Sequence, residues 1–299
     1  MTRKAHPLAF PALLIGNAAL ACGPWLVRLA DVGPVAVGFW RLFLALPLLA
    51  VLGIAVGQKP VWPRKLIAGA ILLSAIFYVS DLAMWNIGIR MTKLANATLF
   101  GNCASFAFVA WGLWLARKWP TGLQSAALAL AAVGCGLLVA GSAELSARNV
   151  RGDILALLAG ILYAGYLIFV ERARTALKPL QVLFLATLFG SVFLLPISLA
   201  LGERVMPQDW TPLLIIAVSS QVVGQGLLVY AIGTLPSVVV GLALLTQPAI
   251  AAMIGWFFYG ERLSVLDWAG AVAIAAALVL VQLRAPALRS GPEQPNLAP

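Results

Sequence analysis

The sequence predicts an all-α polytopic membrane protein, with ten transmembrane helices arranged as two inverted five-helix repeats around a central cavity. Three observations predict it. Apolar residues make up 62% of the 299 residues and charged residues only 10%, against roughly 45–50% and 25% in soluble domains. The apolar residues gather into ten runs, each near the ~20 residues that cross a bilayer. The chain also resembles itself at a constant offset of 145 residues. So few charges cannot clothe a water-facing shell, and the soluble and disordered classes are excluded.

The ten runs are 8–28, 34–56, 66–89, 94–116, 122–141, 152–171, 179–201, 211–232, 237–259 and 265–283. The first contains Ala21-Cys22, which has the look of a lipoprotein cleavage site. The apolar run continues through Trp25 and Val27, so it reads as a retained span rather than a signal peptide. Gly23-Pro24 falls near its end and Pro248 near the middle of span 9, each removing a backbone bond and marking a candidate hinge. In span 3, Ser74, Tyr78, Asp81 and Trp85 share one helical stripe. In span 4, Thr98, Asn102 and Ser105 do the same, and the repeat sets Gln247 opposite Asn102. Tyr163 and Tyr166 in span 6, and Gln221 and Gln225 in span 8, are each spaced to face one side of a helix. Spans 5 and 10 are rich in Ala and Gly and lack strongly polar side chains from Ala126 to Gly141 and from Ala269 to Val281. They are expected to buttress the bundle away from the cavity.

Charge sets the expected orientation. The net charge is +10. With the N-terminus inside, the inner segments hold 12 basic residues and the outer segments 7, a bias that places both termini in the cytoplasm. Trp62, Trp119, Trp210 and Trp268 fall at span edges, where indoles anchor to the interface. The Pro-rich tail 285–299 is expected to be disordered and cytoplasmic. The three cysteines lie in apolar runs with no CxxC spacing, and His6 is the one histidine. No cofactor or metal centre is expected.

The repeat divides the chain into 1–145 (spans 1–5) and 146–284 (spans 6–10). Pro34 matches Pro179, Phe39 matches Phe184, Gly57 matches Gly202, Trp111 matches Trp256 and Arg117 matches Arg262. Ile87-Gly88 likewise matches Ile232-Gly233. Five spans per copy is an odd number, so the second copy enters the membrane from the opposite side. That plan is common in carriers that alternate between two faces.

Polar side chains within a span are costly unless they face protein or a wet cavity. Tyr78, Asp81, Trp85, Asn102, Tyr163, Tyr166, Gln221, Gln225 and Gln247 are therefore the candidate substrate-binding residues. Rings and amides together suit a solute with an apolar or aromatic side chain and polar ends. Asp81 either faces a substrate amine, carries a proton, or bonds a neighbouring helix. Arg41, about eight residues from the outer end of span 2, is expected to snorkel outward or pair with an outer loop; the other reading is that it attracts a carboxylate.

Several motifs carry a family resemblance over essentially all ten spans. They are Ser80-Asp81-Leu82 with Trp85, Ala95-Asn96-Ala97-Thr98-Leu99, Gly260-Glu261-Arg262, the Pro248 bend, and Phe39-Trp40-Arg41. On these the chain resembles the EamA-type branch of the drug/metabolite transporter superfamily. The first copy departs from the pattern, with Ala116-Arg117 in place of Gly-Glu and Cys103 where the second copy has Pro248. Among relatives it is most similar to bacterial amino-acid exporters, including those for aromatic amino acids. The resemblance implies a secondary transporter of the bacterial inner membrane that exports neutral or aromatic amino acids or related metabolites by alternating access. A proton-coupled multidrug exporter is the alternative. A membrane-embedded enzyme is disfavoured, because general acid–base chemistry would rest on Asp81 alone, and no GxxxxGK[ST] loop is present to bind nucleotide phosphates. The expected partners are a small-molecule substrate and lipid, with no nucleic acid, in a monomer or weak homodimer.

Overall fold

A computed structural model of the chain describes residues 8–92, 94–101, 103–140, 147–247, 250, 253, 257 and 265–282. Asn102, Pro248, Gly260-Glu261-Arg262, the boundary at 145–146 and the tail 285–299 lie outside these residues.

The regular elements among the described residues are all helices. The first span is two helices, α1 (Ala9–Ala21) and α2 (Gly23–Leu29), broken at Cys22 because Pro24 sits in the first turn of α2 and has no N–H to continue α1. There follow α3 (Pro34–Ala55), α4 (Lys65–Ile89), α5 (Leu94–Gly101), α6 (Cys103–Leu115), α7 (Gly122–Ala140), α8 (Ala147–Ala173) and α9 (Pro179–Ala200). Span 8 begins as α10 (Thr211–Ile216), widens into a π-helical segment (Ala217–Gln225), and resumes as α11 (Gly226–Ile232). Then come α12 (Ser237–Leu244) and α13 (Val265–Gln282).

Among the described residues, six helical stretches are long and apolar enough to cross a membrane: Ala9–Leu29, Pro34–Ala55, Lys65–Ile89, Val150–Ala173, Pro179–Ala200 and Thr211–Ile232. They coincide with expected spans 1, 2, 3, 6, 7 and 8. The other four expected segments contain helix, but no described stretch long and apolar enough to cross. Half or less of each candidate span is buried. Val51, Ile54, Val192 and Leu199 are exposed on α3 and α9. Exposed apolar surface on that scale is an aggregation hazard in water and ordinary against lipid.

The helices pack in pairs. α3 packs on α9, α4 on α8, α6 on α12, α7 on α13, and α1 on the π segment and α11. Leu13, Val35, Leu42, Tyr78, Tyr166, Leu183 and Leu228 share one buried core. α3 and α9 end alike. Gly57 and Gly202 adopt φ +67° and +66°, and the next residues, Gln58 and Glu203, donate their N–H groups back to Gly53 O (2.6 Å) and Ser198 O (3.1 Å). This is the Schellman termination, which needs a left-handed residue and so favours glycine.

The same two residues then cap the partner helix. Val35 N–H donates to Glu203 Oε1 (3.2 Å) and Ala36 N–H to Oε2 (2.8 Å). Reciprocally, Leu180 N–H donates to Gln58 Oε1 (3.1 Å). Each C-terminal end meets the partner's N-terminal end, so α3 and α9 run antiparallel. The end of the bundle that holds Glu203 is further tied by arginines. Arg90 Nη2 donates to the carbonyls of Val27, Ala30 and Val32, and Arg28 Nη2 to those of Ile89 and Thr92. A cation at the helix C-termini of α2 and α4 suits their dipoles.

Candidate functional site

The helix breaks and the polar stripes meet at one cavity. The backbone around Cys22 opens the wall of span 1, and Pro24 and Val27 line the gap. α3 brings Arg41; α4 brings Tyr78, Asp81, Leu82 and Trp85. α5 and α6 add Thr98 and Ser105, α8 adds Tyr163, the π segment adds Gln225, and Gln247 follows α12. The cavity volume is about 90 Å³, several times the roughly 10–15 Å³ that one water occupies on the same measure.

Of the residues expected from the sequence, Tyr78, Asp81, Trp85, Tyr163, Gln225 and Gln247 line this cavity, together with the expected hinge Pro24. Tyr166 and Gln221 stand one layer behind it as supports. Asn102 and Pro248 lie outside the described residues. α7 and α13 contribute no lining residue among those described, as their composition predicts.

The supporting layer is a hydrogen-bonded sheet of polar groups. Tyr78 OH donates to Gln221 Oε1 at 2.6 Å, Arg41 Nε reaches the same oxygen at 3.2 Å, and Arg41 Nη2 donates to Tyr78 OH at 3.1 Å. Gln221 Nε2 donates to Thr187 Oγ1 at 2.9 Å. One turn away, Gln225 accepts from Tyr166 OH (3.2 Å) and donates to Tyr163 OH (3.1 Å). Tyr166 stacks on Tyr78 with ring centres 4.5 Å apart and on Tyr163 at 5.5 Å. Such aromatic pairs contribute ~0.5–1.5 kcal/mol each. Gln247 leans on Asn17 of α1 (3.5 Å), whose own amide donates to Ala243 O at 2.7 Å.

The outcome for Arg41 corrects the expectation. It does not snorkel: it is 7% exposed, and its fork turns inward onto Tyr78 and Gln221. Two neutral acceptors within reach outcompete the surface, which the sequence alone could not place. Asn17 and Thr187 were also missed. Each is a single polar side chain in an apolar run, and both are fully buried. Asp81 is 8% exposed, and among the described residues no hydrogen bond or ion pair takes its carboxylate.

A cavity lined by convergent polar groups, inside a bundle with six helices long and apolar enough to cross a membrane, fits a multi-pass membrane protein. Residues 150–283 match the EamA-like transporter family. The chain is 23% identical over 266 residues to an uncharacterized transporter of Archaeoglobus fulgidus, covering 85% of this chain and 89% of that one. It is 24% identical over 284 residues to the uncharacterized transporter YwfM of Bacillus subtilis, covering 93% and 85%. The threonine/homoserine exporter RhtA of Escherichia coli is 31% identical over 150 residues, half of each chain. A solved crystal structure with 16% identity superposes at a TM-score of 0.75 over 95% of this chain and 98% of that one, which establishes likeness of fold.

Proposed function

We propose that the chain is a secondary transporter that exports neutral or aromatic amino acids, or related small metabolites, by alternating access and without proton coupling. The observation that carries the reading is the polar cavity walled by both halves of the chain. Arg41, Tyr78, Asp81 and Trp85 come from the first half, and Tyr163, Gln225 and Gln247 from the second. These are the substrate-contacting residues of the proposal, with Gln221 and Tyr166 holding them in place. The relative RhtA, a threonine/homoserine exporter matched over half of each chain, supports the substrate class.

The proposed architecture is ten spans in two inverted copies, 1–145 and 146–284, in the bacterial inner membrane with both termini cytoplasmic. Support comes from the antiparallel α3–α9 pair with its matched ends and caps. The family domain, beginning at 150 and ending at 283, also has the size of one copy. Rocking of two such halves about a shared site gives alternating access, and the break at Pro24 supplies a place to bend.

The test is flux in liposomes with the purified chain. Saturable counterflow of L-threonine or L-phenylalanine is expected, unchanged by an imposed proton gradient, with no flux of tetraphenylphosphonium. Saturable tetraphenylphosphonium flux without amino-acid flux would select the multidrug reading, which the unpartnered Asp81 carboxylate favours.

A further inference from the structure

The cavity holds two opposite charges that make no ion pair or hydrogen bond with each other among the described residues. Arg41 is a buried cation, and among the described residues no acid lies within ion-pair distance of it. A guanidinium carries five N–H donors and no acceptor. The hydrogen bonds from Nε to Gln221 and from Nη2 to Tyr78 use only part of that set, and both partners are neutral. Asp81, on the facing helix and lining the same cavity, has no donor at all among the described residues. Charges left uncompensated at membrane depth are expensive, and they mark ligand or ion sites. Removal of one partner from a buried pair is costly for the same reason.

A ligand that relieves both charges must itself carry both. A simple cation would satisfy Asp81 and be repelled by Arg41; a simple anion would do the reverse. A neutral polar solute would satisfy neither. We infer that the cavity is a receptor for the zwitterionic head group of a free α-amino acid, with Arg41 taking the carboxylate and Asp81 the ammonium. This assignment rests on the amino-acid reading above and specifies which atoms of the substrate are recognised. The guanidinium is pre-oriented, because Gln221 and Tyr78 hold its fork before any ligand arrives. A charge-assisted arginine–carboxylate contact is among the stronger polar contacts available. Specificity comes from rejection as much as attraction: a blocked head group leaves one buried charge facing nothing.

The experiment uses the purified full chain in liposomes, with L-threonine counterflow read against three competitors: unlabelled L-threonine, its methyl ester, and N-acetyl-L-threonine. The wild type is expected to be inhibited at least ten-fold better by threonine than by either blocked form. Arg41→Gln is expected to lose at least ten-fold in threonine counterflow and to accept the methyl ester as well as threonine. Asp81→Asn is expected to do the converse, with N-acetyl-L-threonine reaching parity. Arg41→Lys keeps the charge without the fork and should retain rejection of the methyl ester. The wild-type panel needs no variant, so a misfolded Arg41→Gln does not remove the test. Equal inhibition of the wild type by threonine and its methyl ester overturns the assignment and leaves amino-acid export standing. So does unchanged discrimination in a folded Arg41→Gln. Absence of any amino-acid flux in the wild type overturns both.

Discussion

Gln221 is the point through which three other helices are joined at the back of the cavity, and its removal is a sharp test of that layer. Replacement by Leu keeps roughly the same volume and deletes the amide. Three bonds are lost: those from Arg41 Nε on α3 and Tyr78 OH on α4, and that to Thr187 Oγ1 on α9. Interhelical side-chain bonds in membranes average ~0.6 kcal/mol, with a ceiling of ~1.7. Three average bonds give about 2 kcal/mol, and about 3 kcal/mol if the bond to the charged Arg41 takes the upper value. At 1.4 kcal/mol per factor of ten, the folded-to-unfolded ratio should fall about thirty-fold or more. Reversible unfolding in mixed detergent–SDS micelles reads this directly. The double variant with Tyr78→Phe should fall short of additivity by about the shared bond, ~0.6 kcal/mol. A Gln221→Leu protein within ~0.5 kcal/mol of wild type would refute the claim that this amide ties the helices together.

Gly160 lies against backbone: an added Cβ would stand 2.7 Å from Gly101 O and 2.9 Å from Phe100 O. Gly160→Val should therefore destabilise by roughly 1–3 kcal/mol in the same assay. Gly136→Ala, with nothing within 4 Å, should be neutral or slightly stabilising. Glu203→Gln would make the cap on α3 chemically like the Gln58 cap on α9; it should cost roughly 0.3–1 kcal/mol, more at low salt than at high salt, and an unaltered thermal midpoint at low salt would count against a charged cap. Pro24→Ala should slow liposome turnover while shifting stability by no more than about 1 kcal/mol; turnover equal to wild type would mean that the break at Cys22 is a static kink.

Much of the site was legible because membrane helices advertise their polar residues. Tyr78, Asp81 and Trp85 are conspicuous against an apolar background, and their spacing names the face they share. The repeat pairs Gly57 with Gly202 from identity alone, and both glycines turn out to end a helix in the same way. What the sequence hid depends on neighbours. Arg41 lies close enough to the outer end of its span to escape to water, and only the arrival of Gln221 and Tyr78 from two other helices draws it inward. The supporting role of Tyr166 follows from its stacking partner Tyr78 on α4, which no periodicity reveals. The π segment is likewise invisible to a 3.6-residue pattern, because the glutamines at i and i+4 share a face in either winding.

That π segment has a consequence for how span 8 tolerates insertions and deletions. A π turn is an α-helix carrying one extra residue in its local count. α10 packs on α2 and α3, whereas α11 packs on α9, α1 and α8, so the two halves of the span answer to different neighbours. Deleting one residue within 217–225 would remove that surplus and let the helix relax to uniform winding with α10 and α11 keeping their phase, whereas forcing uniform winding with no deletion would turn α11 by about 100° about its axis. Leu228 and Val229, both fully buried, would swing off the core while α10 stayed in place. The wide turn is thus a phase adjuster between the two halves of the span, and a single-residue deletion there should be better tolerated than one in α10 or α11.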